Sequence, residues 1–274
     1  MINFNNGTLR VQGHWLYPEG APKPLPTLPE FSLRLKYNDG VVPTLVDNKG
    51  TLIQRSTSPN IWDWTYEDYN WNGKYAYQPT VQSHGISIVP NMSITETLSA
   101  QDTVIEVLEG NTTGVRRMEY LFAGNFNITT IPIIDTSKVT TMRCMFSDCE
   151  SLSSLPFLDT SKVENFASVL GCAIVYPGWT YPHANKLTSL PNWDGSSCTN
   201  MTSAFHHCVC ITDADSIQRW YNQFKANGLT PQEDVGPFAY CGFHMEGANY
   251  VYNNQQVETV ITNIAADNRY WIDY

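Results

Sequence analysis

Between residues 111 and 211 the chain repeats itself, and this limits its possible folds more than any other feature. The clearest copy, DTSKVTTMRCMFSDCESLSSLP, begins at Asp135, and the frame restarts at Asp159 as DTSKVENFASVLGC, a period of 24 (159 − 135). NTTGVRRMEYLFAGNFNITTIP stands one equal step earlier at Asn111, and DGSSCTNMTSAFHHCVCI begins at Asp194 after a longer step of 35 (194 − 159). Val115, Val139, Val163 and Cys198 share one position; Met118, Met142, Phe166 and Met201 share a second; Phe122, Phe146, Leu170 and Phe205 share a third. Ile131-Pro132, Leu155-Pro156 and Leu190-Pro191 close the first three copies. A unit this short cannot bury a core alone, so its apolar positions must form ladders through stacked neighbours.

Within the second copy, Val139, Met142, Met145 and Phe146 fall at i, i+3, i+6 and i+7, which predicts a helix-type stripe. Leu152 and Leu155 then supply an extended side, and the Asp-Thr-Ser triplets at 135–137 and 159–161 supply turn and N-cap chemistry. The predicted fold class is α+β. It comprises a short leucine-rich-repeat-like solenoid of about four repeats, an N-terminal β-sandwich-like domain and a C-terminal helix/strand cap. The division is an arm and Pro-rich linker (1–30), the β-domain (31–109), the repeats (110–212) and the cap (213–274).

The second copy closely resembles the unit of the BspA-type leucine-rich repeat surface proteins, roughly W/F-D-T-S-x-V-T-x-M-x-x-M-F-x-x-C-x-x-L. Such proteins are surface adhesion and interaction modules of bacteria, and the same repeats occur in phages infecting gut bacteria. The resemblance spans only the repeats. It implies binding rather than catalysis and carries over no catalytic residue.

Charge and composition narrow the partners. A net charge of −10 argues against nucleic acid, which needs clustered Lys and Arg, and against anionic lipid. MINFNNGTLRVQGHW shows neither a basic n-region nor an apolar h-region, and no apolar run is long enough to span a membrane. A cell-surface member of the family would need export, whereas a virion protein is released by lysis, so the expectation is a phage particle. The seven cysteines are odd in number and fit poorly with a fully disulfide-bonded framework. Cys149, Cys172 and Cys208 sit at or next to one repeat position, where a small buried side chain accounts for them. His206-His207-Cys208-Val209-Cys210 suggests a metal site, but no second pair lies at zinc-finger spacing. No metal and no cofactor is expected.

Taken in order, APKPLPTLPE (21–30) reads as a stiff connector, suited either to anchoring in a larger assembly or to packing as an edge segment. Phe31, Leu33, Leu35 and Tyr37 alternate with polar residues as one strand, and further strands are predicted near 51–55, 61–66, 86–89 and 104–108. In IWDWTYEDYNW (61–71), Trp62, Trp64 and Tyr66 share one face and Asp63, Thr65 and Glu67 the other. The aromatic face is either a glycan platform or core, and Asp63, Glu67 and Asp68 could be cast as glycosidase carboxylates. The insertion at 173–185, AIVYPGWTYPHAN, presents Tyr176, Trp179, Tyr181 and His183. Loops of this kind lie on one face of a repeat stack, and these four residues are the candidate contact site, the alternative being a loop folded over the stack. Ile217, Trp220, Tyr221 and Phe224 mark an amphipathic helix capped by Asp215 or Ser216 and ended near Gly228. Residues 249–252 and 257–261 read as β-like.

No Walker or dinucleotide loop, G-x-S-x-G elbow or H-E-x-x-H pair occurs. The expected function is non-enzymatic: a phage virion surface protein, head or tail fibre-like, mediating attachment to a host surface protein or glycan. Other virion proteins are its expected partners, and a homo-oligomer would add avidity. The alternatives are a bacterial cell-surface BspA-like adhesin and, more weakly, a carbohydrate-active enzyme.

Overall fold

The computed structural model describes residues 3–5, 8–11, 14–16, 28, 32–37, 51–55, 58–65, 104–171, 185–232, 236–246 and 249–272. In chain order the elements are β1 (Asn3–Asn5), β2 (Thr8–Val11), β3 (His14–Leu16), β4 (Ser32–Lys36), β5 (Thr51–Arg55), β6 (Ser58–Thr65) and β7 (Glu106–Asn111). There follow α1 (Ala214–Ala226), β8 (Phe243–Glu246), β9 (Asn249–Tyr252), α2 (Gln255–Asp267) and a 3-10 turn (Arg269–Trp271). The sheets are a β1-β2-β3 meander, a four-stranded antiparallel sheet ordered β5-β6-β4-β7, and the β8-β9 hairpin.

Strand β4 is central and buried on both faces: Leu33 and Leu35 are inaccessible on one side, and on the other Ser32 is inaccessible and Arg34 nearly so. Burying a guanidinium is costly unless it is paired and hydrogen-bonded. Arg34 meets that requirement across two neighbours. Its Nε and Nη2 donate to the Asp63 carboxylate on β6 at 2.8 and 3.0 Å, and its Nη1 donates to Glu109 on β7 at 2.6 Å. Strand β7 then runs directly into the repeats. At its end the backbone of Gly110 lies so close to Ile134 and Leu33 that an added Cβ would stand 2.7 and 2.9 Å from their methyl carbons.

The predicted fold class is overturned at this point. Among the described residues a single four-stranded sheet stands where a β-sandwich was expected, and 112–213 contains no helix and no strand beyond isolated bridges. A leucine-rich-repeat-like solenoid, with a helix and a strand in each unit, is therefore not what these residues form. They form tight turns instead. Met145 N, Ser147 N and Cys149 N bond three residues back, to the carbonyls of Met142, Cys144 and Phe146. Cys144 N and Phe146 N bond outward, to Ala167 and Val169 of the next copy. Left-handed residues recur where the chain folds back: Tyr120, Cys144, Ser168 and Ser203, with φ of 50° to 58°. A tight turn brings residues three apart onto one side, which imitates the helical stripe; a run of αR residues interrupted by αL cannot continue as a helix.

The predicted ladders do form the core. Val115, Val139 and Val163 are 0–1 % exposed, and Met118, Met142 and Phe166 are inaccessible. Phe122 and Phe146 stack with centroids 5.4 Å apart. Isolated parallel bridges join Arg117, Thr141, Asn165 and Asn200 in succession.

Helix α1 is where the sequence places it, with Ile217, Trp220, Tyr221 and Phe224 buried, but its N-cap is Asp213, which accepts from Ser216 N. A further rung follows it. Phe205 N and His207 N donate to Pro237 O and Ala239 O, so Phe238 stacks on Phe205 at 5.7 Å and Cys241 takes the slot held by Cys208. The hairpin is tied on by Asn253, whose side chain donates to Val209 O and Ile211 O. Residues 257–261 belong to helix α2 rather than to a strand: Val257, Ile261 and Ile264 bury one face at i, i+4 and i+7.

Candidate binding face

The Leu-Pro closures of successive copies lie side by side, and a shallow groove of about 430 Å³ opens between the second and third of them. Its floor is apolar, with Leu187, Leu190 and Pro191 buried; its rims are the exposed Ser153, Ser154, Thr188 and Asn192. At one end stands Arg219, projected from α1. Its Nη2 donates to Leu190 O at 3.0 Å and Pro191 O at 3.3 Å. The neighbouring Trp220 is fully buried and donates to Pro191 O at 2.9 Å, which fixes the helix against the same turn. Arg219 Nε is buried without a hydrogen-bond partner. Among the described residues Asp213 also touches the groove: its carboxylate accepts from Ser189 Oγ at 2.6 Å while also capping α1.

Directly after the first two closures stand exposed apolar side chains. Ile133 and Phe157, at the same position of consecutive copies, are 78 % and 69 % exposed, and the next copy carries Asn192 there. Side chains of this size so far out of the core, next to a row of hydroxyls, make a surface that offers both apolar contact and hydrogen bonds. The face has the means for recognition: one fixed cation, several hydroxyls and an aromatic edge.

The four predicted contact residues, Tyr176, Trp179, Tyr181 and His183, lie outside the described residues, as do Cys172, Glu67 and Asp68. Trp62 is buried, in keeping with a core role. Asp63 is 2 % exposed and engaged by Arg34, so casting it as a glycosidase carboxylate is corrected: it is the counter-ion of a buried cation, out of reach of solvent. The histidines form an aromatic contact. The ring of His207 stacks on Tyr240 at 4.6 Å, and its Nδ1 lies 2.9 Å from that of His206, so that one ring donates and the other accepts. Burial and the neighbouring His206 hold the pKa of His207 down to about 3. Among the described residues no group of three His, Cys, Asp or Glu is placed to hold a metal ion. The described cysteines of the shared repeat position, Cys149 and Cys208, are buried: Cys149 donates to Phe122 O, and burial pushes the thiol of Cys208 up to about 12, as it does that of Cys198 at the valine position.

The sequence did not single out the groove, because its serines and leucines are ordinary members of the repeat and Arg219 belongs to a polar helix face. One signal was available: Asn192 stands where the preceding copies carry Ile133 and Phe157.

Residues 86–177 are similar to a family described as "Mycoplasma protein of unknown function, DUF285", a match covering less than half of the chain. No curated protein and no solved structure matches it. Among the described residues no helix is long and apolar enough to cross a membrane.

Proposed function

We propose that this chain is a non-enzymatic attachment protein of a phage particle, a head or tail fibre-like decoration that contacts a host surface protein or glycan. The family similarity supports the coarse part of this reading, a repeat segment of the DUF285 kind, and the residue pattern DTSKVTTMRCMFSDCESLSSLP supports the finer BspA-like assignment. The observation that carries it is the open face beside the closures. Ile133 and Phe157 stand exposed directly after the first two closures, and a hydroxyl-lined groove opens at the second and third. A recognition surface of this kind gains from multiplicity, and copies displayed on a particle would turn a weak single contact into avid binding.

The test is fractionation. Particles purified from a lysate should carry the protein in stoichiometric amounts, and antibody against it should block adsorption. Recovery solely from the wall or membrane fraction of uninfected cells would replace this reading with the bacterial adhesin, which the same repeat resemblance favours.

A further inference from the structure

The groove at Arg219 sets a cation beside exposed hydroxyls. The chain as a whole carries a charge of −10, so most of its surface repels anions at long range. Arg219 places a positive charge in that field at the groove. A guanidinium offers five N–H donors, yet among the described residues the hydrogen bonds of Arg219 come from Nη2 alone, both to main-chain carbonyls. No carboxylate among the described residues forms an ion pair with it. Asp213, which accepts from the groove residue Ser189 and from Ser216 N, keeps its negative charge but makes no ion pair with Arg219. With Nη2 spent on carbonyls and Nε buried, Nη1 is left to meet one oxygen of an anionic group, and no carboxylate among the described residues takes that place. The hydroxyls of Ser153, Ser154 and Thr188 on the rims can then serve neutral hydroxyls of the same ligand, and the exposed ring of Phe157 offers a flat apolar face alongside.

We propose that this groove is a subsite for an acidic sugar: the carboxylate of a uronic or sialic acid residue seats against Arg219, and its ring hydroxyls bond the serine and threonine rims. The inference rests on the reading of the chain as an attachment protein and specifies its ligand class. A peptide's terminal carboxylate would satisfy Arg219 equally, and its main-chain groups could bond the rims, so it is the competing ligand; the saccharide is favoured because neighbouring ring hydroxyls match the clustered hydroxyls of Ser153, Ser154 and Thr188.

The experiment titrates the full chain with an oligouronate, its carboxyl-reduced neutral counterpart and a short peptide with a free C-terminus, and measures adsorption to host cells in parallel. The acidic sugar should bind, and carboxyl reduction should weaken it by about tenfold or more, the value of a charge-assisted hydrogen bond. Arg219→Met, which keeps the aliphatic stem, should reproduce that loss. Ser154→Glu tests the same point from an exposed rim position where folding is not at stake: it should weaken the oligouronate and spare the neutral sugar. Equal affinity for acidic and neutral sugars, indifference to Ser154→Glu, or capture of the peptide alone would each overturn the subsite. Cell adsorption that survives both variants with no saccharide binding would overturn the subsite and leave the attachment reading standing. Uronate binding through Arg219 without cell adsorption would do the reverse.

Discussion

His207 shows how much one side chain's setting can differ from its type. A neutral imidazole is favoured where it is buried against Tyr240 and beside His206, which is why its pKa falls from 6.5 to about 3. Between those values the unfolded chain binds a proton that the folded chain does not, so this residue's share of stability is present above about pH 6.5 and is lost as the pH falls toward 3. Because φ at this position is 61°, asparagine is the replacement that tolerates the backbone. His207→Asn should flatten the decline in melting temperature between pH 7 and pH 4.5, as followed by circular dichroism; an unchanged slope would count against the assignment. Gly110 is a second residue whose role is set by what surrounds it. Gly110→Ala forces a methyl against Ile134 and Leu33, and we expect a loss of about 1–3 kcal/mol in urea denaturation, the usual cost of overpacking. Neither role could be read locally. His207 stacks on Tyr240, which belongs to a later segment of the chain, and Gly110 is enclosed by residues from both before and after it.

At the scale of elements, caps and stripes separate two outcomes. The amphipathic pattern of α1 was legible because it spans 13 residues and ends at a left-handed glycine, Gly228. Helix α2 was misread as β-like because Val257, Val260 and Ile261 are β-branched, whereas the spacing of Val257, Ile261 and Ile264 and the cap at Asn254 favour a helix once one face has a core to meet. Asn254 accepts from Val257 N at 2.9 Å, so Asn254→Ala should cost about 1 kcal/mol in denaturant unfolding. The stripe of Val139, Met142, Met145 and Phe146 erred in the opposite direction: its periodicity came from tight turns, and the positive φ at Cys144 and Asp148 excludes a helix there.

At the scale of the whole molecule, apolar contact is continuous from Leu33 on the N-terminal sheet through the ladders to Trp271 near the C-terminus. Phe238 is inaccessible and stacks on Phe205, although the segment around it lies beyond the last copy visible in the sequence. Phe238→Ala should therefore destabilise the fold by about 3–5 kcal/mol, like any buried aromatic truncation, and should also expose the Phe205 rung to hydrophobic dyes. A response in chemical denaturation as small as that of an ordinary surface substitution, about 0.5 kcal/mol or less, would show that the stack ends before this turn.

What the sequence determined alone is the set of ladder positions, since a unit repeating at a fixed period dictates which side chains must meet whatever backbone carries them. It also determined α1, through a stripe and end signals confined to one short segment. Only the tertiary structure decided that the units, among the described residues, are turns without helix or strand, that Asp63 serves the buried Arg34, and that Arg219 faces a hydroxyl-lined groove. The reason is range. A ladder is fixed by identity at one spacing, whereas the groove needs residues from 153 to 219 brought together, and no local pattern encodes that meeting.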